Sequence, residues 1–62
     1  MDMLRLGTVM RAVRHRLRLR QSDVAHRARV SASTVSRVER GFMSPVAIGT
    51  LMRIAEALEV GV

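Results

Sequence analysis

The tightest constraint on this chain is a gap of only three residues, Arg29, Val30 and Ser31, between two short helical stretches. Each stretch opens with the same signal: an apolar residue just before the proposed N-cap and another five positions on. The pairs are Leu19 with Val24 and Val30 with Val35, the spacing of a hydrophobic staple. Ser31 supplies the second cap, because its hydroxyl can accept an otherwise orphaned backbone N–H; Arg20 occupies the first. Gly41 ends the later stretch, where a left-handed residue is wanted. The spacing therefore predicts helices over Gln21–Ala28 and Ala32–Arg40. So short a connection between two short helices forces them to cross steeply.

That crossing is the geometry of a helix-turn-helix, and the flanks complete a bundle around it. Upstream, Leu6, Val9, Met10, Val13 and Leu17 recur at three and four, one stripe of a helix over Met3–Leu17. Downstream, Ser44 is a cap, Pro45 falls at a first helical position and Met43 with Ile48 repeats the staple, predicting a helix over Pro45–Leu58 that buries Ile48, Leu51, Ala55 and Leu58. The expected fold is all-α: a compact bundle of four or five short helices. With 62 residues the chain is expected to form a single domain over residues 1–62.

Charge narrows the class of partner. The net charge is +6 and all 11 basic residues are arginine, whose planar guanidinium matches phosphate and guanine edges. Residues 1–40 hold ten arginines against Asp2, Asp23 and Glu39, while residues 41–62 hold Arg53 against Glu56 and Glu59. The first two-thirds is thus the part suited to a polyanion. No apolar run long enough for a membrane span exists, and six arginines in the first twenty residues do not fit a secretory signal, so a cytoplasmic protein is expected, at the nucleoid when bound.

The runs Gln21-Ser22-Asp23-Val24-Ala25, Val30-Ser31 and Ser33-Thr34-Val35-Ser36-Arg37-Val38-Glu39-Arg40-Gly41 resemble the Cro and phage-repressor (Xre-type) helix-turn-helix family. Leu6-Gly7 and Arg11 to Arg14 are similar to its first helix, and Pro45 with Leu51, Ile54, Ala55, Ala57 and Leu58 to its fourth, so the likeness spans about residues 4–60. It implies a lambda-repressor-like bundle, a recognition helix in the major groove of DNA, and an ion pair between Arg14 and Glu39 tying the first helix to the third. Three positions depart from the pattern. Arg18 and Arg29 stand where the family has a left-handed glycine and Arg20 where it has a Ser or Thr cap, each at a cost of about 1 kcal/mol. The sequence reading is that these arginines exchange stability for phosphate contacts.

The DNA-binding residues expected on this reading are Arg20, Gln21, Ser31, Ala32, Ser33, Thr34, Ser36, Arg37 and Arg40. Val35 and Val38 face inward, so Ala32, Ser33, Ser36, Arg37 and Arg40 face out, with Thr34 at the edge. Arg37 has the reach and fork to hold guanine O6 and N7. Arg40, at the far end, and Gln21 with Arg20, at the start of the second helix, suit phosphate. His15 and His26 lie eleven apart without cysteines or clustered acids, and no serine has a His and acid placed to activate it. Neither metal, cofactor nor catalysis is expected.

The function expected is a sequence-specific transcriptional regulator, a repressor on a palindromic operator in double-stranded DNA. A module of this size gains useful affinity as a homodimer, with the apolar tail Leu58, Val60 and Val62 as a candidate interface. The alternative is an antitoxin-like or other protein-interaction module whose partner covers the C-terminal helix. A membrane-surface peptide is disfavoured by 2% aromatic content.

Overall fold

A computed structural model describes residues 2–42 and 48–60. Four helices follow one another: α1 (Met3–Arg16), α2 (Gln21–Ala28), α3 (Ala32–Glu39) and α4 (Ile48–Val60). No strand occurs among the described residues. α2 packs against both α3 and α4, and α1 lies across α3 with a smaller contact on α4. The core they enclose is Met10, Val24, Ala25, Ala28, Val35, Val38, Ile54, Ala57 and Leu58. Val24, Val35 and Val38 form the apolar seam between α2 and α3, and Ala25 is the small residue that lets the neighbouring helix approach.

Local chemistry sets the helix starts. Ser31 Oγ accepts the Thr34 backbone N–H at 3.1 Å, closing α3 as expected. Arg20 has no acceptor to cap α2. Half of a capping box works instead, the Asp23 carboxylate accepting the Arg20 backbone N–H at 2.8 Å. Asp2 caps α1 by accepting from the Arg5 N–H at 3.1 Å, a role that apolar periodicity does not reveal.

The ends of α1, α2 and α3 share one design. In each, two crossed backbone hydrogen bonds close around a left-handed residue: Leu19 to Arg14 and Arg18 to His15, Val30 to Ala25 and Arg29 to His26, Phe42 to Arg37 and Gly41 to Val38. The left-handed residues have φ of 57° at Arg18, 59° at Arg29 and 84° at Gly41. Arginine therefore takes the glycine conformation rather than reshaping the turn.

Several expectations are corrected. Val9 is 52% exposed, not part of the stripe. The buried line runs through Gly7, Met10 and Arg14, because α1 comes so close to α3 at Gly7 that a Cβ there would lie 2.3 Å from the Val38 carbonyl oxygen. That rotation turns Val9 outward. α1 and α3 each end one residue earlier than expected, with Leu17 and Arg40 as caps. α4 continues to Val60 and buries Ile54, Ala57 and Leu58, while Leu51 and Ala55 are half-buried. Leu58, only 6% exposed, is core rather than a free interface residue. The expected Ser44 cap, Pro45 start and Met43–Ile48 staple, and the Val60 and Val62 side chains, lie outside the described residues.

Candidate nucleic-acid interface

The α1–α3 junction supplies the scaffold of the site. Arg14 and Glu39, 7% and 8% exposed, meet as a fork: Arg14 Nε donates to Glu39 Oε2 at 2.6 Å and Nη2 to Oε1 at 3.0 Å. Arg14 Nη1 also donates to the Leu19 carbonyl at 2.9 Å, so one guanidinium joins α1, α3 and the α1–α2 connection. The Gln21 amide donates to Glu39 Oε1 at 3.1 Å and brings in α2. Every buried side-chain polar atom described has a partner. Burial alone would raise the Glu39 pKa, but hydrogen bonds from Arg14 and Gln21, with the charges of Arg14 and Arg11, hold it below the ordinary glutamate value. The carboxylate that would repel a polyanion is thus turned inward and neutralised.

With its acid drawn in and Val35 and Val38 buried, α3 presents Ala32, Ser33, Arg37 and Arg40 outward, with Thr34 and Ser36 half-buried beside them. The Arg37 side chain is exposed and has no hydrogen-bond or ion-pair partner among the described residues. Arg40 is held back: Nε donates to the Ser36 carbonyl at 3.3 Å and the guanidinium lies 5.4 Å from the Phe42 ring centroid. At the other end of α3 the hydroxyls of Ser31, Ser33 and Thr34 cluster, Ser31 Oγ lying 3.0 Å from Ser33 Oγ and 2.8 Å from Thr34 Oγ1. These three are tied to the cap and to one another.

The start of α2 differs from expectation. Arg20 is engaged by Asp23 through Nε to Oδ2 and Nη2 to Oδ1, both 3.3 Å. That side-chain hydrogen bond and the Asp23 charge raise the Arg20 pKa. Asp23 is lowered in turn, chiefly by the same side-chain bond and by the Arg20 backbone N–H. Arg20 is exposed and Asp23 partly so, which keeps the pair weak and lets an anion compete for Arg20. Gln21 points to Glu39, leaving its second amide N–H as the one available to a ligand.

Sequence reasoning missed Arg11. It lines a cleft of about 250 Å³ between α1 and α3, together with Arg14, Gln21, Ser36, Glu39 and Arg40. Its place three residues before Arg14 is the signal that could have found it, since i and i+3 share a helix face. His15 and His26 do not converge: both are exposed, and His15 Nε2 lies 3.1 Å from Arg14 Nη2. Among the described residues no three His, Cys, Asp or Glu gather as metal ligands, and no helix is long and apolar enough to cross a membrane.

Comparison with known proteins agrees with this geometry. The family described as a helix-turn-helix domain matches residues 5–62. No curated protein and no solved structure matches. A family match over nearly the whole chain, on a fold with two short helices joined at a left-handed turn and an acid-free outer face on the second, shows that the chain belongs to the helix-turn-helix domain family, which is associated with Xre- and Cro-like proteins.

Proposed function

We propose that the chain is a sequence-specific regulator of transcription, a repressor that binds a palindromic operator in double-stranded DNA as a homodimer, with α3 in the major groove. The observation that carries this reading is the outer face of α3, where Arg37 is unengaged among short side chains while Glu39 is neutralised inside. A guanidinium free to fork onto guanine O6 and N7 discriminates by about 1 to 3 kcal/mol per contact. Ala32 and the Thr34 methyl offer apolar contact to thymine, and Ser31, Ser33 and Ser36 are small donors or acceptors that fit between base edges. Arg40, Arg20, Gln21 and the newly found Arg11 serve the phosphates, and Arg18, strained at the α1–α2 corner, is placed to join them. The setting that goes with this role is the cytoplasm, at the nucleoid.

Selection from a random duplex library tests it. The expected result is a palindromic motif with guanine at a fixed position in each half-site, bound by two chains per duplex in sedimentation. Arg37→Ala should flatten the preference at that guanine alone. Equal binding to all sequences that vanishes with rising salt would leave only charge, and would sink the specific-regulator reading.

A further inference from the structure

We infer that the groove between the C-terminal half of α2 and α4 docks an acidic segment of a protein partner, whose carboxylates are met by Arg27, Arg29 and Arg53. The groove encloses about 320 Å³, and the small side chains of Ala28 and Ala57 line it beside the three arginines and Glu56. Among the described residues no carboxylate lies within ion-pair distance of any of the three guanidiniums. Arg53, the only basic residue after Arg40, donates through Nη2 to Thr50 Oγ1 at a long 3.4 Å. Three arginines against the single carboxylate of Glu56 leave an excess of positive charge at the groove in the free chain, and an anionic partner relieves it.

Backbone strain points to the same place. Arg29 holds φ of 59°, a conformation that glycine takes without penalty, and no hydrogen bond among the described residues uses its side chain. A strained, exposed residue with no structural use for its side chain is a candidate ligand contact.

The chemistry favours a protein over a duplex. The floor is recessed and apolar, shaped for side chains, whereas a duplex offers its phosphates on a convex cylinder to residues that project. No residue of α3 lines this groove, so the inference does not rest on the DNA-binding reading.

The test uses the full chain and a fluorescein-labelled helical peptide of glutamates interspersed with leucines, followed by anisotropy. Saturable binding is expected. Arg27→Glu with Arg53→Glu should weaken it at least about tenfold, because juxtaposed like charges cost more than a lost contact. Arg5→Glu with Arg16→Glu, the same change in net charge at exposed positions of α1, should alter it less than about twofold, being screened at that distance. Arg29→Gly should raise the melting temperature while weakening the peptide about threefold, an opposition that general unfolding cannot produce. Five results would overturn the inference: no saturable binding, equal weakening by both double variants, Arg29→Gly with unchanged affinity, displacement of the peptide by duplex DNA, or self-association abolished by Arg27→Glu with Arg53→Glu, which would assign the groove to a second copy.

Discussion

The end of α3 and the ends of α1 and α2 close with the same pair of backbone hydrogen bonds, yet one uses glycine and the others arginine. Space explains the difference. At Gly41 an added Cβ would lie 3.0 Å from both the Leu4 Cα and its Cδ1, so crowding by α1 adds to the penalty of the left-handed backbone. Arg18 and Arg29 end their helices in the open, where only the intrinsic penalty of the left-handed conformation applies. The molecule thus has a tight region, where α1 crosses α3, and loose corners where residues are tolerated for reasons other than stability.

Substitutions in the tight region should cost most. Gly7→Ala would drive a Cβ to 2.3 Å from the Val38 carbonyl oxygen and 2.8 Å from that of Glu39, contacts with backbone that cannot swing aside. A loss on the order of 3 kcal/mol is expected in urea unfolding, the upper end for overfilled interiors. Little change would mean that α1 does not seat on α3 as described. Removing one member of the Arg14–Glu39 pair, by Arg14→Ala or Glu39→Ala, should also cost about 3 kcal/mol by stranding a buried charge.

The same pair sets a pH dependence whose sign follows from the lowered Glu39 pKa. A carboxylate with a depressed folded value contributes its full stability above its unfolded value, roughly 4.3, and loses it as pH falls through the folded one. The melting temperature should therefore fall on acidification below about pH 5, and Glu39→Gln should flatten that fall. A profile unchanged by Glu39→Gln would place the acid sensitivity elsewhere, Asp23 being the next group lowered.

The smallest effects sharpen the contrast between the turns. Gly41→Ala should destabilise by about 1 to 2 kcal/mol, whereas Arg18→Gly and Arg29→Gly should each stabilise by about 1 kcal/mol. If all three moved stability in one direction, crowding would not be what separates them.

What the sequence made legible was mostly local. The bounds of α2, the Ser31 cap and the Gly41 stop follow from neighbours within five residues, so they could be read without the fold. The outward face of α3 was readable for the same reason, since Val35 and Val38 define the inner side. What escaped was set by distant partners. Val9 and Met10 are equally apolar, and only the approach of α3 at Gly7 decides which is buried. Gln21 and Glu39 are eighteen residues apart, so nothing local shows that the amide is already engaged. From the sequence Arg20 looks like free charge, because the capping preference for Ser or Thr hides the compensating role of Asp23. That Arg29 and Arg53 line one groove depends on α4 being in place.

The most direct test of the central claim compares Arg37→Ala with Arg40→Ala on the selected operator and on a scrambled duplex, each titrated at several salt concentrations. Arg37→Ala should lower the preference for the operator by about 1 to 3 kcal/mol, while Arg40→Ala should weaken both duplexes alike and reduce the salt slope by about one. If the two variants weakened both duplexes equally, α3 would be a charged surface rather than a reading head, and the account of Arg37 would be wrong.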